Sequence, residues 1–107
     1  MQYLILYFTH TIRDISPWCT FIENLQPQLA SSGVGRFDSD DMAIDGGDCE
    51  AVFQGADAKA LFAFILPHIQ GLAFLQKPTT RVELVFGALD GTAKQHTFNL
   101  WDGLPAS

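Results

Sequence analysis

The stretch Gly33–Phe62, GVGRFDSDDMAIDGGDCEAVFQGADAKALF, decides the fold of this chain. Gly46-Gly47 tolerates the positive φ angles that a tight hairpin requires. It predicts a turn at Asp45-Gly46-Gly47 between a strand within Gly35–Ile44 and a strand within Asp48–Gln54. Six of the chain's twelve acidic residues, Asp38, Asp40, Asp41, Asp45, Asp48 and Glu50, fall in the thirteen residues around that turn. Asp57 can then cap a helix, for which Leu61, Phe64, Ile65, His68 or Ile69, and Leu72 mark the inward face. Pro67 should disturb the later part of that helix.

Upstream, Tyr3–His10 reads as a strand with Leu4, Leu6 and Phe8 on one face and Tyr3, Ile5 and Tyr7 on the other. Neither face is polar, so the strand belongs in the middle of a sheet and needs cover on both sides. Ser16-Pro17 supplies a helix start, a hydroxyl cap followed by a proline whose missing N–H costs nothing there. Trp18, Phe21, Ile22, Leu25 and Leu29 follow at helical spacing, and Gly33 ends the run. Pro27 should kink this helix or split it.

Downstream, Arg81–Phe86 alternates with Val82, Leu84 and Phe86 inward, and Asp90-Gly91 turns the chain into a last strand near Lys94–Leu100. The tail DGLPAS is expected to fray. The order βαββαβ plus a C-terminal strand points to an α+β, ferredoxin-like split βαβ fold. That fold has an antiparallel sheet ordered 4-1-3-2 with both helices on one face. At 107 residues the chain is expected to form a single domain spanning residues 1–107.

Composition narrows the function classes. With 48% apolar and 17% charged residues, the chain is expected to be globular. Its six basic residues are scattered and its net charge is −6, which argues against nucleic acid as a partner. The opening MQYLILYF lacks a basic flank and a small-residue cleavage site, so it reads as a strand and not as a leader. The longest apolar stretch, Ala60–Leu75, is interrupted by Pro67, His68, Gln70 and Gly71 and falls short of the about 20 apolar residues of a membrane span. A cytoplasmic location without membrane contact is expected. Cys19 and Cys49 lack any metal-ligand spacing and read as two reduced, mostly buried thiols.

Gly33, Gly35, Phe37, Asp38, Asp41, Gly55, Asp57, Ala58, Leu61 and Phe62, continued by FILPHI and RVELVFG, carry a further signal. This pattern resembles a loose group of small bacterial proteins of unassigned function. It has a G-x-G-x-aromatic-Asp beginning, an acidic residue three positions on, a Gly-containing turn and a G-x-D-A-x-x-L-F helix start. The resemblance implies a ferredoxin-like fold and brings no activity, cofactor or catalytic residue with it.

Several constellations are candidate sites. Asp38 and Asp40 should project to one face of an extended strand and Asp41 to the other. An EF-hand counted from Asp38 would put Met42, Ala43 and Cys49 where an oxygen ligand, a glycine and a glutamate belong, so no known calcium loop fits. Charge on an edge strand blocks edge-to-edge pairing. The same carboxylates, Asp38, Asp40, Asp41 and Asp45, would also suit a cationic protein partner. No metal or cofactor is expected.

In a 4-1-3-2 sheet, His10, Asp48 and Arg81 end up at one rim, near Arg13 and Asp14. They are the catalytic candidates of an enzyme or small-molecule reading, against the plainer reading of a salt-bridged rim. Cys49 would join His10 only if both side chains pointed the same way. His68 reads as a core-edge residue and His96 as exposed, and GVG at 33–35 precedes a strand, so no phosphate loop is indicated.

The second face of the first strand, with Tyr3, Ile5 and Tyr7, asks for a cover. A homodimer is the simplest, with a bound apolar ligand or the chain's own Leu100-Trp101 as the others. The expectation is a non-enzymatic interaction module that dimerises through this face and presents an acidic hairpin to a basic protein, as an immunity-type or regulatory protein would. The competing expectation is a small enzyme or ligand-binding protein with His10, Asp48 and Arg81 at the rim of the same face.

Overall fold

A computed structural model of the chain describes residues 1–9, 16–41, 48–72, 80–87 and 94–99. The elements follow in the order β1 (Gln2–Thr9), α1 (Ser16–Ser32), β2 (Arg36–Asp41), β3 (Asp48–Gly55), α2 (Ala58–Gln70), β4 (Arg81–Val85) and β5 (Gln95–Asn99). The expected turns at Asp45-Gly46-Gly47 and Asp90-Gly91, and the tail DGLPAS, lie outside the described residues.

All five strands form one antiparallel sheet in the order β2-β3-β1-β4-β5. This is an α+β fold consistent with the ferredoxin-like type. The expected order 4-1-3-2 leaves the C-terminal strand unplaced, and the full order differs from it in carrying β5 outside β4. Central β1 pairs Leu4 with Phe53 and Leu84, and Leu6 with Ala51 and Val82. Paired residues share a sheet face. These side chains and Phe8 meet Trp18, Ile22, Leu25 and Leu29 of α1 and Leu61, Ile65 and Ile69 of α2 in one buried cluster. Both helices therefore bury their apolar stripes against the same side of the sheet.

Each helix starts and stops for local reasons. The α2 N-cap is Asp57, whose Oδ1 accepts from the backbone N–H of Lys59 at 3.0 Å and of Ala60 at 3.4 Å. α1 ends where Gly33 takes φ +72°, a conformation that a Cβ disfavours, and the Gly33 N–H reaches the Leu29 carbonyl at 3.1 Å.

Neither proline breaks its helix: Pro27 lies inside the seventeen-residue α1, and Pro67 inside the thirteen-residue α2. Both are on the exposed side, where water can serve a carbonyl left without its N–H. Meanwhile Leu25 and Leu29, or Ile65 and Ile69, hold the buried side on either side of each proline. On α2 it is Ile69 that is buried, while His68 is half-buried beside Phe64, ring centroids 5.4 Å apart.

Two further expectations need correction. Cys19 is exposed, because Trp18 and Ile22 take the inward positions of α1, whereas Cys49 is buried opposite Phe8. The alternation along β2 is also broken by a bulge between Phe37 and Ser39. Phe37 pairs with Phe53 and Asp40 with Ala51, both on the helix side, while Ser39 and Asp41 pair with Val52 and Glu50 on the other. Asp38 is the inserted residue, so it does not share a regular strand face with Asp40.

Candidate functional site

The sheet face opposite the helices is built from alternate residues of every strand. Strand register lays them out in three rows: Arg36, Gln54, Tyr3, Val85 and Gln95; Ser39, Val52, Ile5, Glu83 and Thr97; Asp41, Glu50, Tyr7 and Arg81. No described helix or strand packs over these rows.

The face is not a bare apolar surface. Ile5 is 6% exposed and Val85 fully buried within the single chain. Tyr3 and Tyr7 are half-buried, and among the described residues the exposed large hydrophobic side chain is Met1, outside the rows. The Tyr7 hydroxyl donates to Glu83 Oε1 at 3.2 Å, and the Thr97 hydroxyl donates to Glu83 Oε2 at 3.3 Å. The guanidinium carbon of Arg81 stands 5.2 Å from the centre of the Tyr7 ring, within cation–π range. At the other end Gln54, 7% exposed, accepts from the Arg36 guanidinium in the amide orientation that satisfies both groups.

Burial, the Glu83 charge and its hydrogen bond raise the Tyr7 phenol from 10.0 to about 12, with Glu50 adding to the rise and Arg81 opposing it. Tyr7 is therefore a firm hydrogen-bond donor at neutral pH and a poor general base.

The sequence candidates separate on this frame. Tyr3, Ile5 and Tyr7 do lie on the face away from the helices. Arg81 is on the same face, exposed at its edge. The Asp48 backbone pairs with Thr9 at the same end of the sheet, while His10, Arg13, Asp14 and Asp45 fall outside the described residues. Cys49 pairs with Phe8 on the helix side and so points away from Arg81.

All three acidic residues on β2 are exposed, yet Asp40 is already engaged within the chain, since its Oδ2 accepts from the indole Nε1–H of fully buried Trp18 at 2.8 Å. Asp41 joins Ser39, Asp40, Glu50 and Val52 around a recess of about 210 Å³ at the β2 edge of the sheet. Sequence reasoning missed Glu83 and this recess, since both arise from cross-strand register; the alternation Arg81-Val82-Glu83 was the signal for Glu83. Among the described residues no three His, Cys, Asp or Glu side chains converge to hold a metal ion.

A second concavity, about 670 Å³, opens on the helix side where α2 stops short of β5. It is lined by Gln2, Asp57, Lys59, Leu84, Phe86 and His96. Lys59 Nζ sits 5.9 Å from the centre of the Phe86 ring there, and Gln2 Oε1 accepts from the first helical N–H, that of Ala58, at 2.8 Å. Gln2 and Asp57 thus already serve the helix start. Among the described residues no helix is long and apolar enough to cross a membrane. No protein-family model matches this chain, and no curated protein or solved structure is significantly similar to it.

Proposed function

We propose that this chain is a cytoplasmic, non-enzymatic interaction module with a ferredoxin-like split βαβ fold extended by β5, and that it works as a homodimer joined through the sheet face opposite the helices. The fold assignment is supported by the run β4-β1-β3-β2 within the sheet and by the common core of the two helices. The observation that carries the functional reading is the face itself: half-buried Tyr3 and Tyr7 lie along its middle, framed by Arg36, Arg81, Glu50 and Glu83, with no described element across it. Protein interfaces are distinguished by this mix of tyrosine and arginine more than by bulk apolarity.

The outer edge of the sheet, β2, carries Asp38, Asp40 and Asp41. Those charges discourage further strand addition and leave an acidic margin for a cationic protein.

Substitution of both tyrosines by lysine tests this reading, because two ammonium groups in the middle of the contact would be desolvated without partners. The Tyr3→Lys, Tyr7→Lys chain should run as a monomer in light scattering at concentrations where the unsubstituted chain is a dimer. A dimer of unchanged strength in the double variant would place the contact elsewhere.

A further inference from the structure

Resting on that reading, the register and charge of the face specify how two copies would meet. We propose that they stack with a two-fold axis parallel to β1, so that Arg81 of each copy enters the acidic recess beside Glu50 and Asp41 of the other.

A face-to-face pair related by a two-fold axis in the plane between the sheets has two simple orientations with respect to the strands. An axis parallel to β1 keeps each row in place and exchanges its two ends. β4 of one copy then lies over β3 of the other. In the Tyr7 row, which runs Asp41, Glu50, Tyr7, Arg81, this brings Arg81 of each copy over Glu50 of the other and toward Asp41. In the middle row, Glu83 comes to lie over Val52 of the other copy.

An axis perpendicular to the strands keeps each strand in place and exchanges the outer rows. Glu83 would then face Glu83 directly, Arg81 would lie over Val85, and Arg36 would lie over Asp41. Like charges brought together without a counter-ion are costly, and an arginine over a valine gains no partner. The two Arg36–Asp41 pairs of that orientation match the two Arg81–Glu50 pairs of the first in number, so the Glu83–Glu83 contact, absent from the first, is what selects against it. The near-parallel strands of the first also belong to the aligned class of sheet packing, whose crossing angle of about 30° comes from sheet twist.

Shape points the same way. Arg81 is exposed at the β4 side of the face, and the recess of about 210 Å³ at the β2 edge is lined by Asp41 and Glu50 of the same row together with Ser39, Asp40 and Val52. Knob and hole thus lie on opposite sides of Tyr7, as an isologous contact needs. A planar guanidinium with five donors suits a recess lined by the carboxylates of Asp41 and Glu50.

The test uses two single variants, Arg81→Glu and Glu50→Arg, followed by native mass spectrometry and sedimentation. Alone, each places like charges at both reciprocal contacts and should weaken the homodimer by about tenfold or more. Mixed in equal amounts, the two variants restore opposite charges at both contacts. At one contact the introduced carboxylate of the first variant meets the introduced guanidinium of the second, and at the other the unchanged Glu50 of the first meets the unchanged Arg81 of the second. The mixture should therefore form a heterodimer of near wild-type strength. If Glu50→Arg does not fold, Asp41→Arg takes its place, since it lines the same recess. Variants that dimerise as well as the unsubstituted chain, or a mixture that stays monomeric while the unsubstituted chain dimerises, would overturn this two-fold arrangement and leave the sheet-face reading standing. An unsubstituted chain that is itself monomeric would overturn both.

Discussion

Trp18 on α1 donates its indole N–H to Asp40 on β2 across 2.8 Å, so a fully buried side chain is hydrogen-bonded to an exposed carboxylate at the sheet edge. Phe8 and Phe21 flank the indole at centroid distances of 4.9 and 5.5 Å. Part of what reads as a surface charge cluster is thus an anchor for the core. Asp40→Ala strands a buried donor and should cost about 1–3 kcal/mol in urea unfolding. Asp40→Asn keeps an acceptor and should cost less, while Asp38→Asn should change stability by no more than about 0.5 kcal/mol. Equal effects from Asp40→Ala and Asp38→Asn would remove the anchor.

The raised Tyr7 phenol predicts a defined alkaline limb. An unfolded tyrosine ionises near 10.0, whereas folding holds Tyr7 protonated up to about 12. The contribution is therefore fully present below pH 10 and is lost as pH rises from there through about 12, where the unfolded chain gives up its proton more readily. Unfolding free energy measured across that window should fall more steeply for the unsubstituted chain than for Tyr7→Phe. Parallel curves would mean that folding does not raise the Tyr7 phenol.

Gly35 and Gly55 are required where β2 leaves the helix and β3 ends. A Cβ on Gly35 would overlap the carbonyl oxygen of Gln54, and one on Gly55 would overlap that of Val34. Either change to alanine must push two backbones apart and should destabilise by about 1–3 kcal/mol. Gly71→Ala is the control: its φ is −82° and the nearest obstacle to a Cβ is the His68 carbonyl oxygen at 3.7 Å. It should be neutral or slightly stabilising in the same thermal melts. A Gly35→Ala chain as stable as Gly71→Ala would refute the close approach.

These glycines also explain why the Gly33–Phe62 stretch was informative. Gly33, Gly35, Gly55 and Asp57 act through local geometry, a positive φ, two close backbone approaches and a helix cap, and local geometry leaves a mark in sequence. The alternation Leu4-Leu6-Phe8 against Tyr3-Ile5-Tyr7 was legible for the same reason. Pro27 and Pro67 do not end their helices, because packing by Leu25, Leu29, Ile65 and Ile69 outweighs the local cost of a proline on the solvent side. The bulge at Asp38 shifted the facing of Asp40, and with it the meaning of the acidic run. The bond from Trp18 to Asp40 and the placement of Glu83 between Tyr7 and Thr97 join residues distant in the chain, which no local pattern records.

Whether the face bearing Tyr3, Ile5 and Tyr7 meets a second copy of itself is decided by sedimentation equilibrium of the unsubstituted chain over a concentration series. Face-to-face pairing requires a single species of twice the 11.8 kDa chain mass at micromolar concentration, dissociating on dilution and more readily at high salt. A mass of one chain at every concentration, unaffected by salt, would contradict it.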